Sequence, residues 1–169
     1  MSANWQALHG DFFSNQKALI TGGTGFIGSH IAEALVTLGA DVTILDNLSG
    51  SEKGNLNFYF DDPSKYPGKL EFVQGSILDQ DTLQKVTNDR AFVFHQAAIP
   101  SVPRSIEMPV EFHNNNVTGT LNVLDVVQAH FTAVLDLNTV DRRRTRCCTT
   151  DVERTHGQLS TRLTDRLCG

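Results

Sequence analysis

The stretch Lys17-Ala-Leu-Ile-Thr-Gly22-Gly23-Thr24-Gly25-Phe26-Ile27-Gly28 constrains the fold more than any other part of the chain. It sets an apolar strand, a glycine turn and a helix start in immediate succession. Gly22 can take the positive φ of a tight turn. Gly25 puts no side chain between the backbone and a phosphate, and Gly28 lets the helix pack closely on the sheet. The helix start offers free N–H groups and a partial positive charge to an anion. The spacing is G-x-x-G-x-x-G, a variant of the G-x-G-x-x-G dinucleotide turn.

The surroundings agree with that turn. Ile27, Ile31, Leu35 and Leu38 fall at helical spacing, and Gly39 stands where a left-handed cap is expected. Asp41 to Asp46 reads as a second strand, and Asp46 ends it 18 residues after Gly28. A carboxylate about 20 residues beyond the glycines accepts hydrogen bonds from the adenosine ribose and repels a 2′-phosphate, which favours NAD over NADP. The blander reading of Asp46 is a strand-end turn residue.

Further strands are expected at Leu70 to Gln74 and Ala91 to His95, and Ala133 to Leu137 is a candidate fifth. A helical segment is expected near Glu52 to Phe60, and a short helix at Asp79 to Asn88 with Asp79 as its N-cap. One long helix is expected from about Glu107 to His130, with Val110, Val117, Leu121, Leu124 and Val127 along one side. Strands alternating with helices predict an α/β fold of the Rossmann type, a parallel sheet with helices on both faces, here only its amino-terminal half.

Composition divides the chain. Residues 1–140 carry 15 acidic and 7 basic side chains, whereas residues 141–169 carry 4 and 7. Seven of the nine Arg and all three Cys fall in that last stretch, which has no Phe, Tyr or Trp. The expected division is a leader over 1–15, a partial Rossmann domain over 16–140 and an Arg/Thr-rich tail over 141–169. The tail is what a frameshift or gene truncation near residue 131 would leave. Arg142 to Arg146 is read as a solvated run rather than a nucleic-acid patch. The net charge of −5 does not suggest nucleic acid or an anionic membrane. No run of about 18 apolar residues appears, so no membrane span is expected; nor is a secretory signal, and a cytoplasmic setting is expected. The six His and three Cys form no metal-binding spacing.

Four stretches together resemble one family. They are Ile20 to His30, Asp46-Asn-Leu-Ser-Gly50, Phe94-His-Gln-Ala-Ala-Ile-Pro-Ser-Val-Pro-Arg-Ser105 and Asn116-Val-Thr-Gly-Thr-Leu-Asn-Val-Leu124. The chain resembles the extended short-chain dehydrogenase/reductases, in particular the NAD-dependent nucleotide-sugar epimerases and dehydratases of the UDP-glucose and UDP-N-acetylglucosamine 4-epimerase kind. The resemblance implies that the Phe26 and Ile27 N–H groups meet the pyrophosphate. It puts Asp46 and Asn47 at the adenosine ribose, with Ser49 and Gly50 beside them. Ser76 and Ile77 would border the adenine, although many relatives have Asp where this chain has Ser76. Gln96, Ala97, Ala98 and Asn115 would line the nicotinamide side. Ser101 and Arg104 would lie near a UDP-sugar; Arg104 reads equally well as a surface charge beside a helix. Members of the family often form homodimers.

In that family a Tyr-x-x-x-Lys pair performs the chemistry. This chain has only Tyr59 and Tyr66, both far upstream of where that pair would stand, and no Lys after Lys85. The expectation is an NAD-binding portion of such an enzyme that is inactive alone, with no catalytic residue assigned. The alternatives are a non-catalytic NAD-binding module and a non-functional truncated product.

Overall fold

The computed structural model describes residues 4–129 and 133–136. The tail over 141–169 lies outside them. Among the described residues, five parallel strands form one sheet in the order β3-β2-β1-β4-β5. They are β1 (Lys17–Thr21), β2 (Asp41–Asp46), β3 (Lys69–Gln74), β4 (Phe92–His95) and β5 (Ala133–Asp136). β1 is central, with Ala18, Leu19 and Ile20 buried completely, as expected for a strand covered on both faces.

The helices fall on both sides because strand side chains alternate. Ala18 and Ile20 of β1 and Val42 and Ile44 of β2 face α2 (Phe26–Thr37), through Ala32, Leu35 and Val36. Leu19, Leu45 and Val93 face the other way. They meet Leu83 and Val86 of α4 (Gln80–Thr87) and Val123, Val126 and Val127 of α7 (Gly119–Ala129). Each of the Leu, Ile and Val side chains among them contributes about 1.5–3 kcal/mol by leaving water. Ahead of the sheet, α1 (Trp5–His9) leads into Phe12 and Phe13, whose rings pack on Phe92. The expected helical segment near 52–60 is a 3₁₀ turn over Lys53–Leu56 followed by α3 (Asn57–Phe60).

A short helix outside the expected set, α5 (Val102–Glu107), follows the β4 loop. The helix expected from about Glu107 to His130 then runs without interruption from Pro109 to Ala129, as α6 (Pro109–His113), a π-helical turn (Asn114–Thr118) and α7. Pro109 lacks the N–H that would continue α5, and Met108 before it leaves helical geometry at φ −128° and ψ 54°. Three consecutive Asn are weak helix formers, and the wider turn falls on them. The apolar side of the segment also differs from the expected stripe. Val123, Val126 and Val127 are buried, whereas Val110, Val117, Leu121 and Leu124 are exposed.

Successive strands run outward from β1 in one direction through β2 and β3. The chain then returns to the opposite side with β4. The loops after β1 and β4 therefore lie side by side at the carboxyl edge, the place where an open α/β sheet leaves a crevice.

Candidate nucleotide-binding site

A cleft of about 400 Å³ opens at that edge. Its lining includes Gly22, Gly25, Phe26, Ile27 and Gly28 from the first loop, and Asp46, Asn47, Ser49 and Gly50 after β2. Ile77, Gln96, Ala97, Ala98 and Asn115 complete the set of sequence-derived candidates that meet there.

Two glycines are required by close approach. Gly22 has φ 70°, and a Cβ on it would stand 2.5 Å from the Ala97 nitrogen. Gly22 is thus the point where the β1 and β4 loops touch. A Cβ on Gly28 would stand 2.4 Å from the Gly22 carbonyl oxygen, so Gly28 lets the helix start fold against its own turn. Gly25 is the N-cap of α2 and provides no side-chain cap. The Phe26, Ile27 and Gly28 positions at the helix start line the cleft, where helix N–H groups suit an anion.

Asp46 is buried and divides its carboxylate between two backbone donors. Oδ2 accepts from the Thr24 N–H at 3.0 Å, and Oδ1 accepts from the Leu48 N–H at 2.8 Å. Leu48 is held at φ 61°, a left-handed conformation uncommon for this residue type. Each carboxylate oxygen keeps a further lone pair for a ligand hydroxyl. The Asn47 Oδ1 accepts from the Ser49 N–H at 3.0 Å, which tightens the same loop.

The opposite wall is held from a distance. Asn116, in the π-helical turn, accepts from the Ile99 N–H at 2.8 Å and donates to the Ile99 carbonyl at 3.2 Å. His95, buried at the end of β4, bridges two hydroxyls. Its Nδ1 lies 2.6 Å from Thr21 Oγ1 and its Nε2 lies 3.0 Å from Thr120 Oγ1. Thr120 donates its hydroxyl proton to the Asn116 carbonyl at 2.8 Å, so it accepts from His95 Nε2–H. The Thr21 hydroxyl and Nδ1 form the other hydrogen bond of the bridge. Asn115 donates to the Glu111 carbonyl at 3.0 Å from the cleft's edge.

Three candidates are not in the cleft lining. Ser76 uses its Oγ to accept from the Leu78 N–H at 3.2 Å. Ser101 is the residue before α5. Arg104 is exposed, with its guanidinium 3.9 Å from Glu111. Sequence reasoning missed Leu45, Ser51, Gly75, Ile99 and Pro100, which do line the cleft. Each lies at or soon after the carboxyl end of a strand, and that placement rule was the available signal. Among the described residues no group of His, Cys, Asp or Glu is arranged to hold a metal ion.

A parallel sheet with a glycine turn, an uncapped helix start and a strand-end carboxylate at its switch point defines a Rossmann-type nucleotide-binding domain. The GDP-mannose 4,6 dehydratase family model matches residues 19–146, and the chain belongs to this family of NAD-dependent nucleotide-sugar epimerases and dehydratases. A putative UDP-glucose 4-epimerase of Methanocaldococcus jannaschii is 42% identical over 113 residues, covering 66% of this chain and 34% of the relative. The UDP-N-acetylglucosamine 4-epimerase of Methanobrevibacter ruminantium, solved with UDP-N-acetylmuramic acid, superimposes with a TM-score of 0.62 at 35% identity. It covers 72% of this chain and 37% of its own. The UDP-glucose 4-epimerase of Brucella ovis, solved with NAD, gives a TM-score of 0.61 at 34% identity, with 72% and 35% covered. The chain thus spans about a third of the length of these relatives.

Proposed function

We propose that this chain is the NAD-holding portion of a UDP-sugar 4-epimerase or dehydratase, and that it does not turn over substrate alone. The observation that carries the reading is the cleft itself. It joins an uncapped helix start to a buried carboxylate with free lone pairs, as a dinucleotide's pyrophosphate and ribose require. The Phe26 and Ile27 N–H groups would hold the pyrophosphate. Asp46 and Asn47 would hold the adenosine ribose, with Ser49 and Gly50 beside it and Ser76 and Ile77 bordering the adenine. The Asp46 charge would repel the 2′-phosphate of NADP. Gln96, Ala97, Ala98 and Asn115 would line the nicotinamide end, where the bound cofactor supplies a hydride acceptor. Ser101 and Arg104 would stand toward the UDP-sugar. The setting is proposed to be cytoplasmic; among the described residues no helix is long and apolar enough to cross a membrane.

The inactivity rests on the missing Tyr-x-x-x-Lys pair. Tyr59 and Tyr66 pack against each other with ring centroids 5.7 Å apart, and neither lines the cleft. Without the pair, no Tyr or Lys among the described residues lines the cleft to take the sugar hydroxyl proton. The same absence favours a second reading, a non-catalytic NAD-binding module. We also propose that the compositional break beyond residue 131 reflects a frameshift or truncation. A Ser-rich turn followed by Tyr-x-x-x-Lys in another frame of the gene would support the frameshift; its absence from both other frames would remove that version. The exposed stripe of Val110, Val117, Leu121 and Leu124 supports pairing with a second copy.

Calorimetric titration with NAD tests the cofactor reading. Binding with a preference over NADP is expected, and no heat at millimolar NAD would overturn it. Turnover of UDP-galactose or UDP-N-acetylglucosamine by the purified chain would overturn the inactivity.

A further inference from the structure

Thr24 is the one residue between Gly22 and Gly25 that has a side chain. It is fully buried, and the end of β2 and the segment after it engage each of its polar groups. Its N–H donates to Asp46 at 3.0 Å, its Oγ1 lies 2.5 Å from Ser51 Oγ, and its carbonyl accepts from Asn55 Nδ2 at 2.7 Å. Three glycines give the turn wide conformational freedom, which is lost when a ligand orders it. Holding the turn beforehand lowers that cost of binding. Thr24 is where a side chain can do so without entering the phosphate path.

We infer that Asn55 is a positioning residue for the phosphate-binding turn. Together with Asp46 and Ser51 it closes a latch on Thr24, joining the turn and the ribose-side loop into one preorganised unit. Asp46 and Ser51 line the cleft, so removing either also removes a surface that a ligand can meet. Asn55 does not line the cleft. Its residue is exposed, and its amide reaches inward only to the Thr24 carbonyl among its described hydrogen bonds through that group. Truncating it opens no core cavity and deletes no cleft contact. Any loss of affinity must then pass through the turn.

The inference rests on the cofactor reading, and the test separates the two. NAD and ADP-ribose are titrated against the full chain and against Asn55→Ala. Amide hydrogen exchange of Gly25 to Gly28 and of β4 is followed in the unliganded proteins, with the urea midpoint recorded for each. Asn55→Ser, which is too short to reach Thr24, runs beside it so that a folding defect in one variant does not decide the result. The latch predicts that both ligands weaken by the same factor, about three- to tenfold for one net hydrogen bond. It also predicts faster exchange at Gly25 to Gly28 with β4 unchanged. A lowered urea midpoint with unchanged ligand affinity and unchanged turn exchange would mean that Asn55 is merely structural, and would overturn the inference. So would weakening of NAD alone. If the unaltered chain binds neither ligand, the cofactor reading fails and the latch falls with it.

Discussion

The two walls of the cleft are built in different ways. The wall made by residues 22–28 and 46–51 is held largely by near neighbours and by the loop after the adjacent strand. Asp46 and Thr24 tie its parts together through backbone N–H groups. The wall made by residues 96–100 is held by side chains from another element, with Asn116 gripping Ile99 and His95 linking Thr21 to Thr120. The first wall is nearly self-contained. The second keeps its shape only while β1, β4 and the helical segment remain docked. A ligand lying across both would draw its adenosine end from local geometry and its other end from tertiary packing.

The largest expected effect comes from breaking the contact between the walls. Gly22→Ala would drive a Cβ to 2.5–2.6 Å from the Gln96–Ala97 backbone at a residue already at φ 70°. Strain at positive φ and overpacking together should cost about 3 kcal/mol or more. The urea midpoint should fall sharply, and NAD binding should be lost along with ADP-ribose binding.

Asp46→Asn tests the first wall alone. The variant keeps one acceptor oxygen but turns an N–H₂ toward a backbone donor. Hydrogen bonds to a charged group are worth about 1.5–3 kcal/mol, so NAD should weaken roughly ten- to hundredfold. The preference for NAD over NADP should narrow because the repelling charge is gone. An unchanged preference would show that Asp46 serves only to shape its loop.

The contrast between the walls also explains what could be read from the sequence. The first wall is contiguous: strand, glycine turn, helix start and strand-end acid stand at fixed offsets, and the motif names its members. The parallel order of the strands followed from their alternation with helices, and Asp79 was recognisable as a cap. The second wall depends on a π-helical turn that seats Asn116 against Ile99, seventeen residues away, and periodicity at 3.6 residues per turn has no place for it. The break at Met108–Pro109 falls at the start of the expected helix, and the π-helical turn widens that helix without ending it. Its apolar residues also form two sides, and the sequence did not say which meets the sheet. Ser101 and Arg104 follow the β4 loop in sequence, yet α5 carries Arg104 outward to Glu111.

Asn116→Ala addresses the second wall. It removes both hydrogen bonds to Ile99 without touching the glycine turn. NAD should weaken by up to about tenfold while ADP-ribose is unaffected. Equal weakening of both ligands would mean that the walls are mechanically one piece.

The smallest effect is expected at Asp79, which serves neither wall directly. Its carboxylate accepts from the Thr82 hydroxyl at 2.6 Å and the Thr82 N–H at 3.2 Å, capping α4. Those bonds, the side-chain one foremost, hold its carboxyl below the usual aspartate range. A carboxylate whose folded pKa is depressed stabilises the fold above its unfolded pKa, and that contribution disappears as pH falls through the folded value. Asp79→Ala should therefore lower the urea midpoint slightly at neutral pH. The difference from the unaltered chain should shrink below the ordinary carboxylate range and vanish once the native carboxyl is protonated. Ligand affinity should not change at any of these pH values. The Asp79 N–H does donate to the Ser76 carbonyl at 3.1 Å, in the loop that brings Gly75 and Ile77 to the cleft. That bond is made by the backbone and survives the substitution. A loss of ADP-ribose affinity in Asp79→Ala would therefore show that the cap holds the Gly75–Ile77 loop in place, and the first wall would extend to α4.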